Sequence, residues 1–122
     1  MRALVIDDSR AIRLILRRML GQLGFVVDEA ANGREALAHL DTGPMPELLL
    51  VDWNMPEMNG LDFVIAVRRP PYSSTTRVVM VTTETEIPQM VRALDAGADE
   101  YVMKPFTRDS IVEKLQMLGL QP

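Results

Sequence analysis

No cysteine occurs among the 122 residues, which excludes a disulfide framework, thiolate chemistry and Cys-ligated zinc. Such a chain suits a reducing compartment, and the cytoplasm is the expectation. A basic excess is also missing. The formal charge of -4 and the pI near 4.9 exclude a general attraction to nucleic acid or anionic membrane, so neither is expected as a partner. No apolar run approaches the roughly 18 residues of a membrane span. Met1, Arg2 and Ala3 lead straight into a strand-like segment without the apolar stretch of a signal peptide. A soluble protein is expected. Histidine is represented once, by His39.

What is present is ordinary globular material, with 48% hydrophobic and 25% charged residues and a length that suits one domain of roughly 100–150 residues. One domain over 1–122 is expected, without internal repeat, linker or low-complexity tract. Short β-branched or Leu-rich runs alternate with segments of helical period, the pattern of βα units around a parallel sheet covered on both faces. Five strand–helix pairs are read. The first strand is expected over 3–7, followed by a helix capped by Ser9 and closed by Gly24, with Ile12, Ile15, Leu16, Met19, Leu20 and Leu23 facing inward. The second strand is expected over 25–30, then a helix capped by Asn32 that turns Ala36, Leu37 and Leu40 inward and stops at Thr42, Gly43 and Pro44. A central strand apolar on both faces spans 47–52, and a helix runs over about 60–69 before Pro70 and Pro71 break it. The fourth pair is a strand over 77–82 and a helix over 88–96 ended by Gly97. The fifth is a strand over 100–103 and a helix opening near Thr107 that presents Ile111, Val112, Leu115 and Leu118.

In open parallel α/β sheets, ligands sit beyond the carboxyl ends of the strands where the strand order reverses. Those ends carry Asp7 and Asp8, Asp52, Thr82, and Lys104 followed by Pro105. If the first and third strands are neighbours, three carboxylates converge. Two unit charges about 4 Å apart repel by about 4 kcal/mol at an effective dielectric of 20, so the cluster calls for protons, Lys104 or a cation to neutralise it. All-oxygen ligation, without cysteine and with His39 remote, points to a hard ion, and a few carboxylates plus waters suit Mg²⁺. A carboxylate beside Mg²⁺, an ammonium and a hydroxyl has the parts to accept a phosphoryl group. Asp52, at the end of the most buried strand, is the nucleophile candidate, and Asp7 and Asp8 are better placed as metal ligands.

Taken singly, each piece has a plainer reading. Asp-Asp after a strand is usually a turn or cap, Lys-Pro is nondescript, and a strand-terminal Thr is ordinary. Their weight is joint, because four separate strand ends each supply a group that one mechanism needs. His39 reads as a surface helix residue, the nine methionines mostly as core filler, and Arg10, Arg13, Arg17 and Arg18 as a solvated face.

With Asp7-Asp8, Asp52 in VDWNMPEMNG, Thr82 in VMVTTE and Lys104 in YVMKPF, the whole chain resembles the receiver domain of two-component response regulators, a signalling family and not a class of metabolic enzyme. The resemblance implies a doubly wound, flavodoxin-like (βα)5 fold with a five-stranded parallel sheet in the order 2-1-3-4-5. It implies Asp52 as phosphoacceptor, and Mg²⁺ at Asp7, Asp8, Asp52 and the backbone carbonyl of Asn54. Thr82 and Lys104 would contact the phosphoryl group, the bond between Lys104 and Pro105 would be cis, and Tyr101 would turn inward as Thr82 moves. Asn54 and Glu84 would tune hydrolysis and give a short-lived phosphoryl aspartate.

Because no effector segment follows the fifth helix, the likeness is nearest to the single-domain, CheY-like chemotaxis regulators. This implies a sensor histidine kinase as donor and a monomer before phosphorylation. It also implies an output partner, such as a flagellar motor switch protein, on the face of helix four, strand five and helix five. One departure is visible. Glu84, Glu86, Ile87 and Pro88 stand where well-known members carry basic residues, which leaves room for another output protein or a phosphate sink. Three rival readings each require something different. A receiver cut from a larger, DNA-binding regulator would continue past Pro122. A haloacid-dehalogenase-type phosphatase needs a second acid where Asn54 stands. A flavin carrier needs a Ser/Thr/Gly-rich loop where Asp7-Asp8 stands.

Overall fold

A computed structural model describes residues 1–72, 75–83 and 87–120. Five strands and five helices alternate along the chain. They are β1 (Arg2–Ile6), α1 (Arg10–Gln22), β2 (Val26–Ala30), α2 (Gly33–Thr42), β3 (Leu48–Asp52), α3 (Gly60–Val67), β4 (Arg77–Thr82), α4 (Ile87–Ala96), β5 (Glu100–Met103) and α5 (Arg108–Met117). All four strand pairings are parallel, and the sheet order is β2-β1-β3-β4-β5. This is the expected doubly wound arrangement.

The two-residue period of a strand divides the core. On one face Leu4, Ile6, Leu49, Val51, Val78 and Met80 meet Ala36 and Leu40 of α2, Phe63, Val64 and Val67 of α3 and Ala93 of α4. On the other, Ala3, Val5, Leu48, Leu50, Val79, Val81 and Val102 meet Leu16 and Leu20 of α1 and Ile111 and Leu115 of α5. Every residue of β3 is buried, as a strand covered on both faces requires.

Side-chain caps start the helices where the sequence offers them. Ser9 accepts from the Ile12 amide, Asn32 from Glu35 and Asn59 from Asp62. Thr107 and Ser110 form a reciprocal capping box. Gly24 and Gly97 follow α1 and α4 with φ of 97° and 123°, the left-handed conformation that glycine takes at least cost.

Two expectations need correction. Ile15 is 44% exposed, because the inward stripe of α1 is centred on Ile12, Leu16, Met19, Leu20 and Leu23 and Ile15 falls at its margin. Arg13 is not part of a freely solvated face, since its side chain turns back toward β1. That same contact explains why β1 stops at Ile6. The Asp7 amide still donates to the Ala30 carbonyl at 3.1 Å, but the Asp7 carbonyl accepts from Arg13 Nη1. Of the methionines, Met55, Met80 and Met90 are buried, whereas Met1 and Met117 are exposed. Among the described residues, no helix is long and apolar enough to cross a membrane.

Candidate functional site

The pairing register sets the site. Because β1 and β3 are neighbours with Ile6 opposite Val51, the next residue of each strand, Asp7 and Asp52, ends at the same rim. The pairing of Thr82 with Met103 carries Lys104 to that rim from the other side. Carboxylate oxygens of Asp7, Asp8 and Asp52 lie within 4.8 Å of one another. Asp7 is 1% and Asp52 5% exposed, while Asp8 is open to solvent.

Lys104 bridges the two buried acids, with its Nζ 3.0 Å from Asp7 Oδ2 and 3.2 Å from Asp52 Oδ1. The Ser9 amide donates to Asp7 Oδ1 at 2.8 Å, and the Asn54 amide to Asp52 Oδ1 at 3.4 Å. The backbone is anchored as well. Lys104 N donates to the Thr82 carbonyl at 2.8 Å, Trp53 N to Val81 at 3.1 Å and Gly60 N to Trp53 at 3.0 Å. The bond between Lys104 and Pro105 is cis, as expected; a second cis bond joins Pro70 and Pro71.

Burial raises the pKa of the Asp52 carboxyl above its ordinary value, and the charge of Asp7 raises it further, while Lys104 pulls the other way. For Lys104, burial disfavours the ammonium, but the hydrogen bond to Asp7 and the attraction of Asp52 more than offset it, and its pKa is raised. Three carboxylates facing one ammonium leave two formal negative charges. A hard dication matches that deficit, and the all-oxygen donor set, with an exposed third acid, fits an ion that keeps several waters. The residues present therefore fit Mg²⁺.

Most of the expected site residues meet here. Asp7, Asp8, Asp52 and Lys104 form one cluster, Thr82 is fully buried at the adjoining strand end, and Asn54 adjoins Asp52 through its amide. Tyr101 is not in the cluster. It lies three residues before Lys104, against the core on the α3–α4 side, with Lys114 Nζ 5.2 Å from its ring centre. Glu84 and Glu86, and the side chain of Ile87, lie outside the described residues. Sequence reasoning missed the support behind the acids: the Ser9 amide, Arg13 and Glu29. Of these, Ser9 carried a signal as the cap next to Asp8, whereas nothing in the spacing of four helix arginines marks Arg13.

The response regulator receiver domain family matches residues 3–116. The chain is 42% identical to the chemotaxis protein CheY1 of Helicobacter pylori over 119 residues, 97% of this chain and 96% of that one. It is 39% identical to chemotaxis protein CheY of Pseudomonas aeruginosa over 97% of this chain and 95% of that protein. Among solved structures, Vibrio cholerae CheY4 superimposes with a TM-score of 0.89 at 35% identity, covering 96% and 97% of the two chains. Response regulator TrrA of Thermotoga maritima, in complex with Mg²⁺ and BeF, does so with a TM-score of 0.83 at 32% identity, covering 96% and 97%. With sheet order, strand-end acids and nearly full-length similarity in agreement, this chain belongs to the response regulator receiver domain family.

Proposed function

We propose that the protein is a phosphorylation switch in which Asp52 accepts a phosphoryl group from a phosphohistidine of a sensor histidine kinase. The observation that carries this reading is the convergence of Asp7, Asp8, Asp52 and Lys104 at the strand ends, with Asp52 buried yet followed by an open loop. An Asp52 carboxylate oxygen attacks phosphorus, the P–N bond of the donor breaks with its electron pair staying on nitrogen, and the ring, already protonated on its other nitrogen, leaves as neutral imidazole. Water later cleaves the acyl phosphate and releases inorganic phosphate. Asp7, Asp8, Asp52 and the Asn54 carbonyl would hold Mg²⁺, which would supply charge neutralisation to the phosphoryl oxygens. Lys104 opposes the upward push on the Asp52 pKa and then pairs with a phosphoryl oxygen; Thr82 donates its hydroxyl to another. The protein turns over only its own phosphoryl group, with Asn54 and Glu84 setting a short lifetime.

The names of the similar proteins support a role in chemotaxis, with output through α4, β5 and α5 to a flagellar switch protein in the cytoplasm. Phosphorylation then favours one of two arrangements of Thr82 and Tyr101 by a few kcal/mol. The acidic residues before α4, Glu84 and Glu86, favour a second reading, in which the output is a different protein or the chain is a phosphate sink. Incubation with acetyl phosphate and Mg²⁺ tests the acceptor. Intact mass should show one phosphoryl group per chain, lost in Asp52→Asn and in chelator; sustained hydrolysis of a phosphomonoester would instead mark a phosphatase.

A further inference from the structure

Arg13 lies one helical turn beyond the Ser9 cap and reaches back to the end of β1. Its Nη1 donates to the main-chain carbonyl of Asp7 at 2.7 Å, and its Nε to Glu29 Oε1 at 3.2 Å. The other oxygen of Glu29 accepts from Arg17 Nη1 at 2.9 Å. Although α1 carries four arginines, this one keeps only 16% of its side chain exposed. We propose that Arg13, oriented by Glu29, is a positioning residue that sets the Asp7–Asp8 pair for cation binding; the inference rests on the magnesium reading of the site.

The Asp7 carbonyl belongs to the peptide that joins the two acids. Fixing it fixes rotation about the Cα–C bond of Asp7 and so the direction in which Asp8 leaves the strand. The Asp7 carboxylate has its own supports, the Ser9 amide and Lys104. The Asp8 carboxylate accepts no hydrogen bond from a described residue, so its placement depends on the backbone that Arg13 holds. A guanidinium suits this task because its planar fork serves a carbonyl and a carboxylate at once. Lysine offers the same charge without the fork.

A positive charge near a cation site has an opposite effect if it acts only as charge. Removing it would then strengthen cation binding, whereas removing a positioning contact weakens it. The sign therefore separates the two roles. Melting temperature across a Mg²⁺ series reads this for the unaltered protein, Arg13→Ala, Arg13→Lys and Glu29→Gln. The value in chelator reports the fold, and its Mg²⁺ dependence reports the apparent Kd. The expectation is a Kd raised about 10–100-fold in Arg13→Ala, as for other groups that orient metal ligands. Arg13→Lys should fail to restore it, and Glu29→Gln should show a smaller rise. Unchanged or tighter Mg²⁺ binding in Arg13→Ala, with or without a lower melting temperature in chelator, overturns the inference while leaving the magnesium site intact. If Arg13→Ala does not fold, Arg13→Lys and Glu29→Gln with unchanged Kd overturn it equally. Absence of any Mg²⁺ effect on the unaltered protein overturns the magnesium reading and the inference together.

Discussion

Asp52 is held in a state that costs stability. Its carboxyl is displaced upward from an ordinary value of 3.8, first by burial and then by Asp7. The folded protein therefore binds a proton at Asp52 more tightly than the unfolded chain does. Stability must fall as pH rises from about 3.8 through the raised value, by about 1.4 kcal/mol for each tenfold change in its dissociation constant. Asp52→Asn is expected to raise the melting temperature at pH 7 in chelator, with the gain disappearing as pH falls toward 3.8; Mg²⁺ should stabilise the unaltered protein more than the variant. Lys104 opposes the same repulsion. Lys104→Met is expected to lower stability by up to about 3 kcal/mol in chelator, because the buried acids lose their counter-charge. A Mg²⁺-induced rise in melting temperature larger than in the unaltered protein would show that ammonium and cation serve the same deficit. These residues were legible in the sequence because charge at the end of an apolar strand is conspicuous. Arg13 was not legible, since a helix with arginines at 10, 13, 17 and 18 does not reveal which one folds back. Only the placement of the Asp7 carbonyl and Glu29 decides that.

At the scale of elements, two glycines bear on the site and its frame. A Cβ on Gly60, the first residue of α3, would lie 2.6 Å from Met80 Cε, 2.8 Å from the Asp52 carbonyl oxygen and 3.0 Å from Trp53 Cα. Gly60→Ala is expected to displace the end of β3 and to slow labelling of Asp52 by acetyl phosphate more than it lowers the melting temperature. Labelling at the unaltered rate would show that β3 absorbs the crowding elsewhere. Gly97 serves the opposite end of the sheet. A Cβ there would lie 2.6 Å from Arg68 Cγ, and Arg68 donates to the Gly97 and Thr76 carbonyls and to Asp99. Gly97→Ala, at a φ of 123°, should cost about 1–3 kcal/mol of stability in denaturant titration. Helix starts and stops were readable because Ser9, Asn32, Gly24 and Gly97 combine local chemistry with position. The strand ends were less so, since β1 stops where a side chain of the next helix takes its following carbonyl, a contact that the periodicity of neither element records.

Across the whole molecule, the parallel order β2-β1-β3-β4-β5 does the assembling. It makes β1 and β3 neighbours, so acids separated by more than forty residues share one rim, and it brings Lys104 in from β5 by way of β4. The alternating βα pattern and the doubly apolar β3 made this topology legible. The position of Tyr101 relative to the acids depends on how α4, β5 and α5 pack, and sequence pattern does not specify that. Under the proposed switch, in which Thr82 and Tyr101 change arrangement on phosphorylation, Lys104→Arg is expected to permit labelling yet weaken capture of the output partner. Undiminished capture by that variant would remove Lys104 from the signalling step. In the proposed switch the acids at the strand ends hold Mg²⁺ and present Asp52 to a phosphoryl group. A crystal structure with Mg²⁺ and beryllofluoride tests it most directly. The ion should be coordinated by Asp7, Asp8 and Asp52, with beryllofluoride on an Asp52 oxygen beside Lys104 and Thr82. Beryllofluoride bound elsewhere, or acids turned apart around an empty rim, would contradict the account.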